Sequence, residues 1–132
     1  MSGDNAQGAR VYAELRGEAA AAKMQELAQG EGAQAVLADL SLELIFGKVW
    51  GRSGLDRKQR SLVTIAVLIA LRQTAELENH LGIGLTNGLT KAEIVEAIVQ
   101  TAPYAGFPAA WTAAKIMSAL DGRLGDNPPV AS

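Results

Sequence analysis

Between Gln73 and Asn87 the residues with chemical capability recur at spacings of three and four: Gln73, Glu76, His80, Gly84 and Asn87. On a helix these positions share one stripe, beside a second stripe of Leu77, Leu81 and Leu85 that suits a core. A carboxylate one turn before an imidazole can hold its tautomer and raise its pKa, which is the arrangement general acid-base chemistry needs. Glu76 and His80 are therefore expected to touch and act as a unit, with Gly84 one turn later leaving room for a small molecule. The same spacing also describes an ordinary solvated helix face.

A second cluster is basic. Arg52, Arg57, Lys58 and Arg60 place four of the twelve Lys and Arg residues within nine positions. Cations in the first turn of a helix oppose its dipole by roughly 0.3 to 1 kcal/mol each, so helix propensity does not account for them. An anionic ligand does. Arg60 stands just ahead of an apolar run and is the best placed to point inward, where a guanidinium gives a carboxylate two parallel hydrogen bonds. Arg57 and Lys58 fit a solvated charge run or an intersubunit ion pair equally well. Trp50, Tyr104, Phe107 and Trp111 can wall a pocket or anchor a core or an interface. Gly82 and Gly84 lack the strand and lysine of a phosphate loop.

Composition narrows the chemistry. The 132 residues are 48% hydrophobic, enough for one compact domain with a core, expected over 1–132 with 123–132 as a loose tail. Fourteen acidic against twelve basic residues leave a charge of −2, so neither nucleic acid nor an anionic membrane is an expected partner. No cysteine is present, which removes thiol redox chemistry and thiolate metal sites. His80 is the single histidine, and no metal or organic cofactor is expected. The first twenty residues carry Asp4, Arg10, Glu14, Arg16 and Glu18 and no apolar stretch of signal length, so a cytoplasmic location is expected. Leu62 to Leu71, interrupted only by Thr64, is about half of a membrane span and reads as a buried central helix.

The elements that must position these residues are all helices, about six to seven of them. One or two short helices are expected over Arg10 to Leu27 with a break near Gly17, then a hinge at Gln29 to Gly32. A helix from Ala33 to Phe46 should bury Leu37, Leu40 and Leu44, widened by Ile45, and Gly47, Gly51 and Gly54 should break the chain around Trp50. Asp56 with Gln59 and Thr90 with Glu93 have the spacing of capping boxes, the second flanked by Leu89 and Ile94 as a hydrophobic staple. The first box opens a helix to about Gln73. Thr74 caps the next, which stops at Asn87 and Gly88. Pro103 should kink or end the helix from Lys91, making Tyr104 to Phe107 a junction, and Pro108 should open a last helix ending near Asp121 and Gly122.

The segments Val49-Trp50-Gly51-Arg52-Ser53-Gly54-Leu55-Asp56-Arg57-Lys58-Gln59-Arg60-Ser61-Leu62, Glu76-Leu77-Glu78-Asn79-His80, Asn87-Gly88-Leu89-Thr90 and Gln100-Thr101-Ala102-Pro103-Tyr104-Ala105-Gly106-Phe107-Pro108-Ala109-Ala110 together resemble the carboxymuconolactone decarboxylase family, in order from about Leu40 to Leu120. The resemblance implies an alkylhydroperoxidase D-like, all-α subunit that assembles into homo-oligomers, a trimer or hexamer. In the peroxidase branch two redox cysteines precede the histidine by seven and four residues, positions that here hold Gln73 and Glu76, and a relay carboxylate falls on Ser61. The decarboxylase branch is implied instead.

Such enzymes release CO2 from a small anionic γ-lactone of aromatic catabolism, and the lactone carbonyl itself accepts the electron pair. By resemblance His80 and Glu76 are catalytic and Arg60, with Arg52, binds the substrate carboxylate, while Gln73 of the polar stripe and the pocket-wall candidates Tyr104 and Trp50 are expected to supply further substrate contacts. The N-terminal Gly-x-x-His-Val segment of these decarboxylases has its nearest match in Gly17-Glu18-Ala19-Ala20-Ala21, without the histidine. An isomerase or hydrolase on the same scaffold, or a non-catalytic binding protein, are the alternative readings.

Overall fold

A computed structural model describes residues 3–126, and among these every regular element is helical. The order is α1 (Gly3–Arg16), α2 (Glu18–Ala28), α3 (Ala33–Leu40), a π-helix (Ser41–Val49), α4 (Arg57–Ala70), α5 (Thr74–Thr86), α6 (Lys91–Ala105) and α7 (Phe107–Asp126). Among the described residues no helix is long and apolar enough to cross a membrane. The helices form two compact units, one through Leu55 and one from Asp56.

In the first unit α1 lies against the π-helix, and α2 and α3 complete the packing. Gly17 (φ 96°) and Gly32 (φ 92°) make the turns, at left-handed angles that side chains resist. The expected helix from Ala33 does not stop at Phe46. It changes register at Ser41 and continues to Val49, with Gly47 inside it and the break delayed until after Trp50. Its expected face is also corrected: Leu37, Leu40, Leu44 and Ile45 are exposed, and Ala35, Ala38, Leu42 and Phe46 are buried instead. Small residues on the buried face let the neighbouring helices approach closely, which the count of large apolar residues could not reveal.

The second unit starts with a capping box. Asp56 accepts from the Gln59 N–H at 2.7 Å, and Gln59 accepts from the Asp56 N–H at 3.0 Å. Ser61, Ile65 and Ile69 of α4 face the core, while Val63, Val67 and Leu71 are exposed, so α4 is not buried on every side as its composition suggested. The helix ends earlier than expected. Arg72 takes φ 56°, the Gln73 N–H donates to the Leu68 carbonyl at 3.0 Å and the Arg72 N–H to that of Ile69 at 3.1 Å, a Schellman ending built without glycine. Gln73, not Thr74, then occupies the N-cap of α5.

Asn87 and Gly88 close α5 as expected, with Gly88 at φ 100° and the Leu89 N–H donating to the Gly84 carbonyl at 2.9 Å. Thr90 and Glu93 exchange both capping bonds at 3.0 Å, with Leu89 and Ile94 buried beside them. Pro103 sits inside α6, which continues to Ala105 and ends at Gly106 (φ 98°). The junction is thus one glycine. The last helix passes the expected stop at Asp121 and Gly122 and runs to Asp126, so 123–126 are helical and the rest of the expected tail lies outside the described residues. The core joins Ile65, Leu77, Leu81, Ile94, Ala113 and Met117 from α4 to α7.

Candidate active site

The α4–α5 hairpin resolves the ambiguous stripe. One face of α5 is laid against α4: Asn87 Nδ2 donates to Ser61 Oγ at 2.9 Å and approaches the Arg57 carbonyl at 3.4 Å. One turn back, a Cβ built on Gly84 would stand 3.0 Å from Leu89 Cδ1, 3.2 Å from Ile65 Cδ1 and 3.7 Å from Ser61 Cβ. Gly84 therefore serves close helix packing, and the room expected for a ligand is filled by side chains. His80, a further turn back, is 9% exposed. The leucine stripe is inside as read, with Leu77 and Leu81 buried.

Gln73 and Glu76 are exposed. Glu76 makes no hydrogen bond or ion pair among the described residues, so its expected contact with His80 is not formed. The physical reason is local. Glu76 is the third residue of α5, in the exposed first turn of that helix, while His80 is buried one turn later.

The basic cluster also divides. Lys58 pairs with Glu93 at 3.0 Å, an ion pair between α4 and α6 within one chain. Glu93 is held below the ordinary glutamate range, first by the Thr90 backbone hydrogen bond and then by Lys58, with burial opposing. Arg60 is half-buried one position before Ser61, and its carbonyl accepts from Thr64 Oγ1 at 2.8 Å. In the first unit Trp50 is buried at 5% exposure and Arg52 is exposed. Tyr104 is 84% exposed in the last turn of α6.

Phe107 and Trp111 line an apolar cleft of about 390 Å³ between α6 and α7 with Val99, Pro103 and Ala110. A second cleft, about 600 Å³ between α4 and α6, is lined by Leu62, Ala66, Glu93, Glu96 and Gln100. Neither takes in His80, Glu76 or Arg60. Among the described residues no three His, Asp or Glu side chains are grouped to hold a metal ion. Sequence reasoning had not paired Ser61 with Asn87. The available signal was that both are polar in a seam otherwise built of leucine, isoleucine and glycine.

A helical chain with this histidine, this basic approach and these capping signals invites comparison with known families. The profile of the carboxymuconolactone decarboxylase family matches residues 35–119, from α3 into α7. The chain belongs to that family. A 4-carboxymuconolactone decarboxylase of Acinetobacter baylyi is 53% identical over 64 residues, 48% of each chain. A nitrosuccinic acid decarboxylase of Metarhizium robertsii is 44% identical over 70 residues, 53% of this chain and 49% of that one. An uncharacterised 15.0 kDa protein of Paracoccus denitrificans is 37% identical over 81 residues, 60% of each. The chain thus spans about half the length of the first two relatives. Both α1 and α2 precede the stretch that the family profile matches.

Proposed function

We propose that the chain, acting as one functional domain over 1–132, is a cofactor-free decarboxylase of a small carboxylated γ-lactone of the 4-carboxymuconolactone type. The observation that carries this reading is His80, the single histidine, buried on α5 of a family chain whose relatives include two decarboxylases. Those two substrates, by their names, share a useful property. When the bond to the leaving carboxylate breaks, the electron pair can move onto oxygen, into a lactone carbonyl or a nitro group, and CO2 departs.

The protein then has three tasks: to hold the anion, to stabilise the developing oxyanion and to return a proton to carbon. Arg60, with Arg52, is assigned to the anion, and His80 to the oxyanion and the proton. Gln73, Tyr104 and Trp50 are assigned to the remaining substrate contacts. Glu76, solvated one turn before His80, is assigned to supplying or orienting the proton, a weaker role than a joined pair would have. Exposed Val63, Val67, Leu71, Val95 and Val99 support association of several copies, a trimer or hexamer.

CO2 release from a carboxylated γ-lactone tests the assignment. His80→Ala is expected to lose about a hundred- to ten-thousand-fold and Glu76→Gln less, with circular dichroism confirming the fold. A loss below roughly tenfold for His80→Ala would remove it from the chemistry. The exposure of Glu76 favours one competitor, a non-catalytic binding protein on the same scaffold, and that reading requires no CO2 release from any such lactone.

A further inference from the structure

No proline accounts for the π-helix Ser41–Val49. Its sequence, Ser-Leu-Glu-Leu-Ile-Phe-Gly-Lys-Val, holds no proline, and nothing in it favours i→i+5 closure over the ordinary i→i+4 ladder. The element that covers it is α1. A Cβ built on Gly8 would stand 1.7 Å from the Leu42 carbonyl oxygen and 3.1 Å from the Gly47 nitrogen, so backbone rests on backbone at that point. One turn further along α1, the Tyr12 ring meets the Phe46 ring edge-on with centroids 4.8 Å apart. Leu42 and Phe46 are the buried residues of the π-helix, and the Trp50 N–H closes its last bond to the Ile45 carbonyl at 2.8 Å.

Register decides where Trp50 points. An i→i+5 helix turns about 80° per residue against about 100° for an α-helix, so nine residues accumulate a difference of roughly 180°. In the α register Trp50 would sit on nearly the opposite face of its helix.

We propose that α1, a segment outside the family match, is a positioning element that imposes the π register through Gly8 and thereby sets the direction of Trp50 and of the Gly51-Arg52 segment after it. Gly8 is the positioning residue, acting through Leu42 and Gly47. The consequence for substrate rests on the proposed assignment of Trp50 and Arg52 to binding, whereas the consequence for Trp50 itself does not.

The test uses the full chain with Trp111→Phe, which leaves Trp50 as the sole tryptophan. Gly8→Ala in that background is expected to keep helical circular dichroism, to shift Trp50 emission to longer wavelength and to raise its acrylamide quenching constant about threefold, as for a buried ring turned towards water. Should Gly8→Ala fail to fold, Tyr12→Ala, which removes only the ring contact, is expected to give a smaller shift in the same direction. With a lactone substrate, KM should rise while kcat stays within about twofold. Unchanged emission and quenching in the folded variant would overturn the proposal. Shifted emission with unchanged KM would leave the register device standing and instead remove Trp50 from substrate binding.

Discussion

Among the described glycines, Gly8 and Gly84 are those where an added Cβ would be most crowded, and they are crowded in different ways. Gly84 brings α5 onto α4, and the atoms facing its missing Cβ are mostly the tips of Leu89 and Ile65 at 3.0 and 3.2 Å. Gly8 brings α1 onto the π-helix, and the atom facing it is a main-chain oxygen at 1.7 Å. Side-chain tips can rotate by a few tenths of an ångström. A carbonyl inside a helix cannot move without the helix. The second unit is therefore fastened by adaptable contacts and by polar side chains, Asn87 to Ser61 between α5 and α4 and Lys58 to Glu93 between α4 and α6, while in the first unit a rigid backbone contact at Gly8 stands beside the Tyr12–Phe46 ring pair and the Asn5 to Asp39 hydrogen bond.

The largest expected effect of this difference is at Gly8. Alanine there must push α1 off the π-helix, and the cost should approach the upper end of the overpacking range, about 3 kcal/mol, read as a fall in the urea midpoint. At Gly84 the same substitution gains about 0.5 to 1 kcal/mol of helix propensity and displaces only side-chain tips, so the net change should lie within about 1 kcal/mol of zero. Equal losses at the two sites would break the comparison.

The next effect tests the polar fastening. Asn87→Ala removes the donor to the fully buried Ser61 hydroxyl and should cost about 1 kcal/mol. The double variant with Ser61→Ala should show positive coupling, since the second change then removes a group already without this partner. Additive losses would mean that the 2.9 Å contact does not hold the hairpin.

A comparable magnitude with the opposite sign is expected at Arg72. A non-glycine residue at φ 56° carries a steric cost of about 1 to 2 kcal/mol, so Arg72→Gly should stabilise the α4–α5 turn by somewhat less than that, glycine being more flexible when unfolded. This turn also shows why parts of the fold were not legible in the sequence. Helix ends marked by chemistry were read correctly: Asp56 with Gln59, Thr90 with Glu93, and Asn87-Gly88 each announce a local bond pattern. The end of α4 has no glycine or proline to announce it, so the helix was expected to reach Gln73. The π register of Ser41–Val49 is set by a helix about thirty residues away and leaves no local trace. Of the candidate site residues, Arg60 is half-buried, and on the one stripe of α5 His80 is buried and Glu76 exposed, a difference that spacing along α5 does not describe.

The smallest effect separates the units by pH. Glu93 is held below the ordinary glutamate range by the Thr90 N–H and by Lys58, so its contribution to stability is present above the ordinary glutamate value and is lost as pH falls through the lowered one. Glu93→Gln keeps an oxygen that can accept from Thr90 and loses both the pairing with Lys58 and the titration. Neutral stability should therefore change little, as for most exposed ion pairs, while the acid limb of the stability curve becomes shallower. The rigid contact at Gly8 has no titratable part, so Gly8→Ala should lower the whole curve without altering the slope of that limb in the same way. An acid limb unchanged by Glu93→Gln would show that the Lys58–Glu93 fastening contributes nothing to holding α4 against α6.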